Sequence, residues 1–148
     1  LVFSQFTQML AQIQQRLDAQ HQDYFRLAGD TKPKDRLQMV DAFNAGEKSL
    51  FLISLKAGGT GLNLTGASVV ILVDLWWNPA VEDQATGRAH RIGQKHAVDV
   101  YRLITKGTIE EQIVKLQAKK RDLVDQVLGG VEQKAGLSTE EIKLILGI

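Results

Sequence analysis

Cysteine is absent from the 148 residues, which removes a disulfide framework, a thiolate metal site and a cysteine nucleophile at once. Histidine is scarce, and His21, His90 and His96 are too scattered to compose a zinc site. No excess charge of one sign is present either: 18 basic residues stand against 17 acidic ones. That balance neither demands nor excludes nucleic acid, and only a local cluster can argue for it. The longest apolar run lies within Ser68–Leu75, far too short to cross a bilayer, and nothing reads as a signal peptide. No catalytic triad, paired carboxylates or metal-ligand arrangement is visible. A soluble, intracellular, non-membrane protein is the expectation. The apolar run Leu1-Val2-Phe3 reads as a core strand at the first residue, which suggests a piece cut from a longer chain.

With 44% hydrophobic residues the sequence has the material for one globular core. Apolar runs alternate with amphipathic stretches, the pattern of a mostly parallel sheet covered by helices. Strands are expected at Leu1–Phe3, Tyr24–Leu27, Leu50–Leu55, Val69–Val73 and Val98–Ile104. The third and fourth are continuously apolar, as strands buried on both faces are. A helix from about Thr7 carries Leu10, Ile13 and Leu17 on one face; a second, opened by Thr31 and Pro33, presents Leu37, Val40 and Phe43. Asn78 and Pro79 read as N-cap and first residue of a helix running to about Arg91. Beyond Gly107, Thr108 and Glu111 form a capping box for a long helix with Ile109, Ile113, Leu116, Leu123 and Val127 on one face. Gly129-Gly130 ends it, and Ser138 with Glu141 opens a short terminal helix. The fold class is therefore α/β, with residues 1–107 as the lobe and residues 108–148 as a helical brace and tail packed on it.

Ala57-Gly58-Gly59-Thr60-Gly61-Leu62-Asn63 follows the third strand. Three glycines in four positions mark unusual backbone angles or a close approach to the main chain. A tight connection between strands would explain them, and so would a phosphate cradle. The segment lacks the Gly-Lys-Ser/Thr ending of a P-loop, and no P-loop occurs elsewhere in the sequence. A dinucleotide-binding reading would use Asp74 on the ribose, but the connection Lys56–Ser68 leaves little room for the crossover helix it needs.

Gln84, Arg88 and Arg91 are spaced i, i+4, i+7, which on a continuous helix places them on one face. Two guanidiniums that close repel by about 0.2–0.5 kcal/mol, and Gly87 costs the helix about 1 kcal/mol relative to alanine. An anion held between the two forks would compensate; a solvated basic face near a helix C-terminus is the plainer alternative. Lys95, His96, Arg102 and Lys106 follow, with Asp99 as the only acid between Arg88 and Lys106. Trp76-Trp77 closes the fourth strand, where open α/β sheets bind ligands. Trp76 suits packing on the core, and Trp77 suits stacking on a base.

Taken together, these segments resemble the second lobe of Swi/Snf-type translocases of helicase superfamily 2. Leu1-Val2-Phe3-Ser4-Gln5-Phe6 is similar to that family's motif IV, and Leu27-Ala28-Gly29-Asp30-Thr31 with Arg36 and Phe43-Asn44 to the block after it. Ser54 through Leu64 resembles motif V, and Asp74 through Pro79 its extension. Asp83-Gln84-Ala85-Thr86-Gly87-Arg88-Ala89-His90-Arg91-Ile92-Gly93-Gln94 resembles motif VI, the most specific signature. The match covers roughly residues 1–128.

The resemblance implies a three-layer RecA-like lobe that works with a first lobe of the same chain. That first lobe holds the P-loop, the ATP and most of the Mg2+ coordination. Arg88 and Arg91 would reach the β/γ-phosphates, Arg91 as the arginine finger, and Gln84 would orient the phosphates or bridge to the other lobe. Gly58, Gly59 and Gly61 would let the glycine loop sit against nucleotide and DNA. Ser4, Gln5 and Lys56 would contact the backbone of double-stranded DNA, and Trp77 its groove. The lobe alone would hydrolyse no ATP. The rival reading is a non-catalytic RecA-like module that binds DNA or protein.

Overall fold

The computed structural model describes residues 1–57 and 61–127, the side chains of 122–127 excepted. Five strands appear in chain order: β1 (Val2–Ser4), β2 (Tyr24–Leu27), β3 (Leu50–Ser54), β4 (Val69–Leu72) and β5 (Asp99–Arg102). Four helices accompany them: α1 (Thr7–Ala19), α2 (Pro33–Asn44), α3 (Pro79–Thr86) and α4 (Ile109–Val127). The strands form one sheet in the order β2-β3-β1-β4-β5, and every pairing is parallel. β1 is central, with Phe3 in register with Ile53 on one side and Leu72 on the other.

Strand alternation sorts the core into two layers. Val2, Leu52 and Ile71 point to one face and pack with Leu10, Ile13 and Leu17 of α1. Phe3, Phe51, Ile53, Val70 and Leu72 point to the other, against Val40 and Phe43 of α2 and Ala85 of α3. Three layers result, as expected for an α/β domain. Phe51 anchors the second layer, its ring 5.6 Å from Phe25 and 5.4 Å from Phe43. Fully burying a side chain of this size contributes roughly 1.5–3 kcal/mol.

Three local expectations are corrected. Leu37 is 66% exposed, because α2 turns the stripe Arg36, Met39, Val40 and Phe43 inward and leaves Leu37 on its flank. Thr31 does not cap α2; its hydroxyl accepts from the Ala28 amide at 3.0 Å, and Lys32 occupies the N-cap position without a side-chain bond. At α4, Thr108 receives the Glu110 amide at 3.3 Å, while the Glu110 carboxylate reaches back to the Thr105 amide at 2.6 Å. Thr108 thus caps the helix from one side, and the returning carboxylate is that of Glu110 and not Glu111, bonded to Thr105 rather than to Thr108. Ile113 and Leu116 are buried as the periodicity predicts, whereas Ile109 is 47% exposed. Leu123, Val127 and the capping pair Ser138 and Glu141 lie outside the side chains described. Among the described residues no helix is long and apolar enough to cross a membrane.

Candidate functional site

Parallel pairing brings the exits of β1, β3 and β4 to one edge of the sheet, the carboxyl edge, with β1 in the middle. In such sheets ligands collect where successive connections leave in opposite directions. Here the chain leaves β1 toward β2 on one side, then returns from β3 across to β4 on the other.

Asp74 organises the β1 exit. Its buried carboxylate accepts from the Ser4 hydroxyl and, at 2.9 Å, from the Gln5 amide. Ser4 also takes the Phe6 amide at 3.1 Å and has no exposed surface. The hydroxyl of Ser4, a candidate DNA contact on its sequence, is enclosed here and engaged by the Asp74 carboxylate. Asp74, buried and with both oxygens engaged, is likewise not presented to a ribose. The Gln5 side chain, half-buried, donates to the Leu75 carbonyl at 3.0 Å and ties β1 to the tryptophan loop.

The glycine loop leaves β3 through Lys56, which is exposed, and Ala57, which is buried. Arg36 secures that exit, with Nη1 donating to the Ala57 carbonyl at 3.0 Å and Nε to the Thr31 carbonyl at 2.9 Å. Gly58, Gly59 and Thr60 lie outside the described residues, so the assignment of Gly59 to the nucleotide stays an expectation. Gly61 has φ +100°, a conformation that favours glycine. Farther on, Asn44 at the end of α2 clamps the loop from both sides. Its Nδ2 donates to the Asn63 carbonyl at 2.8 Å, and its Oδ1 accepts from the Gly66 amide at 2.9 Å. No helix occurs among the described residues between β3 and β4.

The arginine segment departs from the sequence expectation. Asn78 caps α3 as predicted, accepting from the Ala80 amide at 3.1 Å, with Pro79 as first helical residue. The helix nevertheless stops at Thr86, with Gly87 as its C-cap, and residues 87–89 continue as a turn. Gln84, Arg88 and Arg91 therefore do not share one helix face. Gln84 is exposed on α3, Arg88 is 5% exposed and Arg91 is exposed. The Arg88 carbonyl accepts from the Leu64 amide at 2.9 Å, which joins this turn to the glycine loop. Gln94 holds the far end, donating to the carbonyls of Ala67 at 2.7 Å and Ala89 at 3.1 Å.

The two arginines sit in contrasting surroundings. The Arg88 guanidinium carbon lies 5.8 Å from the centre of the Phe3 ring, and its Nη1 is buried with no hydrogen-bond partner among the described residues. Burial holds its pKa below that of an ordinary guanidinium, and the positive charge of Arg91 lowers it further. Arg91 lines an open cleft of about 570 Å³ with Asn63, Gly87, His90 and Ile92. Arg88 is not in the lining of that cleft; it lies behind it, toward Phe3. A buried cation with one N–H left without an acceptor among the described residues, beside a second cation at the surface, is a disposition that favours a nearby anion. Of the two, Arg91 lines the open cleft and is the charge presented to a polyphosphate. Among the described residues no group of three or more His, Cys, Asp or Glu side chains could hold a metal ion.

The tryptophan loop is held by residues that sequence reasoning missed. Glu82, 2% exposed, accepts from the Trp76 amide at 3.0 Å and from Gln117 of α4 at 2.8 Å, and Arg102 of β5 stands 3.7 Å away. Gln117 also donates to the Trp76 carbonyl. Both tryptophans are half-buried. An acid in the first turn of α3 reads in sequence as complementing the helix dipole. The available signal was Gln117, a polar residue four positions after the buried Ile113 and directly after the buried Leu116.

Comparison with known proteins matches this geometry to one family. The model of the helicase conserved C-terminal domain matches residues 1–93. An uncharacterised ATP-dependent helicase of Mycoplasma pneumoniae is 48% identical over 129 residues, covering 86% of this chain and 12% of that protein. A SWI/SNF-related regulator of chromatin (subfamily A member 3-like 1) from Arabidopsis thaliana is 44% identical over 137 residues, covering 90% of this chain and 16% of that protein. This chain thus spans less than a fifth of the length of either relative. The crystal structure of the C-terminal part of the Fun30 ATPase domain superposes with a TM-score of 0.75 at 35% identity, covering 95% of this chain and 41% of that one. The α/β architecture is RecA-like, and the chain belongs to the helicase conserved C-terminal domain family, as a lobe of the Swi/Snf type.

Proposed function

We propose that this chain is the second motor lobe of an ATP-dependent translocase that moves along double-stranded DNA, and that a first RecA-like lobe holds the ATP and its Mg2+. The observation that carries this reading is the arginine pair: buried Arg88, whose Nη1 has no hydrogen-bond partner among the described residues, beside exposed Arg91, on the segment that continues α3. Bound ATP supplies the phosphoryl group and the negative charge that grows on it during transfer. Arg91, on the open cleft, reaches that charge as the arginine finger once the lobes close; Arg88 provides a second, desolvated positive charge behind it. Positive charge already in place needs no reorganisation at the moment of reaction. Gln84 on the exposed face of α3 orients the phosphates, and Gly59 and Gly61 let the loop approach them.

On the DNA side, exposed Lys56 meets a backbone phosphate, Gln5 braces the same edge, and the half-buried Trp77 ring is offered to the groove. Ser4 is left out of that list because Asp74 occupies its hydroxyl. The α4 helix serves as the brace, and the protein works inside the cell, where DNA and ATP are. The names of the relatives, an ATP-dependent helicase and a chromatin regulator, favour this reading.

The test is ATP hydrolysis by the longer parent protein, with and without duplex DNA, for the wild type and Arg91→Ala. The expected outcome is a DNA-stimulated rate that falls about 10³–10⁵-fold in the variant while DNA affinity stays nearly the same. An unchanged rate, or a parent without ATPase activity, would favour the non-catalytic binding module instead.

A further inference from the structure

Three elements that the motor reading keeps separate meet at one buried cluster. Glu82 belongs to α3, the helix that carries Gln84 and runs into the arginine turn. Trp76 precedes Trp77, the residue offered to DNA. Gln117 belongs to α4, which no motif of the sequence includes.

The contacts are specific. Both hydrogens of the Gln117 amide are used, one on the Trp76 carbonyl and one on Glu82 Oε1. Glu82 Oε1 also holds the Trp76 amide. The Trp76 peptide is therefore gripped at its N–H by α3 and at its C=O by α4. Glu82 Oε2 and Gln117 Oε1 are buried with no hydrogen-bond donor among the described residues. A plain structural anchor would be expected to satisfy its polar atoms, since an orphaned buried acceptor weakens the fold. Glu82 Oε2 has the Arg102 guanidinium beside it as an ion pair at 3.7 Å, beyond hydrogen-bond distance, so the cluster is held by charge on one side and by the Gln117 amide on the other.

We infer that Gln117 is a positioning residue that couples DNA at the tryptophan loop to the arginine segment, acting through Glu82 and the Trp76 peptide. Displacement of the loop by DNA pulls on the Trp76 peptide, and that peptide is bonded to the helix leading into Arg88 and Arg91. Gln117 keeps the link rigid by holding both partners at once. α4 is thereby a working part of the coupling and not only a cover for apolar surface. The contact four residues on, Arg121 with Asp83 at 3.3 Å, lies at the surface and, being solvated, contributes little by comparison.

This inference rests on the motor reading above, and one experiment separates the two. ATP turnover is measured in the parent protein with and without duplex DNA, alongside DNA affinity and the thermal midpoint, for Gln117→Met and Glu82→Gln. Gln117→Met keeps the length and loses both hydrogen bonds; Glu82→Gln keeps an acceptor for the Trp76 amide and loses the charge that faces Arg102. The expected result for each is a DNA stimulation reduced about tenfold, the range of an ordinary coupling between sites. Turnover without DNA and the DNA Kd stay within about twofold of wild type, as follows when the link and not either site is changed. Stimulation equal to wild type in both variants overturns the inference and leaves the motor reading intact. Loss of stimulated and unstimulated turnover together, in step with a lowered midpoint, reduces Gln117 to a fold-stabilising residue and also overturns it. A parent without DNA-stimulated turnover overturns both readings. Should Gln117→Met fail to fold, Glu82→Gln decides.

Discussion

Arg88 is held at a cost to the fold. An orphaned buried donor is worth roughly 1–3 kcal/mol against stability, while a guanidinium over an aromatic ring returns about 0.5–2 kcal/mol. The 5.8 Å separation from Phe3 is near the outer limit of that attraction, so the penalty wins. Arg88→Met, which fills the same space without a charge, is expected to raise the unfolding free energy of the 148-residue chain by about 1 kcal/mol. The same change in the parent is expected to abolish ATP turnover. Urea denaturation measures the first and a turnover assay the second. A variant less stable than wild type would show that the guanidinium is already satisfied where it lies. The residue types were readable in advance; which arginine is buried was not, because that depends on where α3 stops.

Among the elements, the loop from Asn63 to Gly66 is clamped at both ends by the Asn44 side chain at the end of α2, beside the main-chain bond from Leu64 to Arg88. Asn44 can reach both sides of it only because Gly66 has no side chain: a Cβ there would stand 2.9 Å from the Asn44 Cα and 3.1 Å from the Phe43 carbonyl oxygen. Both neighbours are main chain and cannot rotate away. Gly66→Ala is accordingly expected to lower stability by about 1–3 kcal/mol, the usual range for overpacking, read as a fall in the urea midpoint. An unchanged midpoint would mean that α2 shifts to make room. Local signals served well where the chemistry is local, as at Asn78 and Pro79, where cap and first residue adjoin in sequence. They served less well at Thr108, where Glu110 and Glu111 compete for one cap, and at Leu37, where helix rotation is chosen by the whole inward stripe. Gly87 was counted as a penalty within a longer helix; in the structure the helix ends there.

At the scale of the molecule, the arginine pair lies on a lobe whose sequence contains no P-loop lysine. Two positive charges on one wall can stabilise a transferring phosphoryl group only when another wall holds the nucleotide in line. The 148-residue chain by itself is thus expected to show no DNA-stimulated ATP hydrolysis above the DNA-free background, measured by phosphate release beside the parent protein. Stimulated turnover by the isolated chain would put a complete site within this lobe. What the sequence by itself determined is what depends on neighbours along the chain: strand and helix order, the α3 cap, the motif residues and hence the family. Tertiary structure alone decided the rest. It closed Ser4 onto Asp74 across 70 residues, buried Arg88 while exposing Arg91, and joined Glu82, Trp76 and Gln117 through α4. The physical reason is that burial and hydrogen-bond partnership are properties of distance in space, set by how the sheet orders its strands, and no local pattern in the sequence carries that distance.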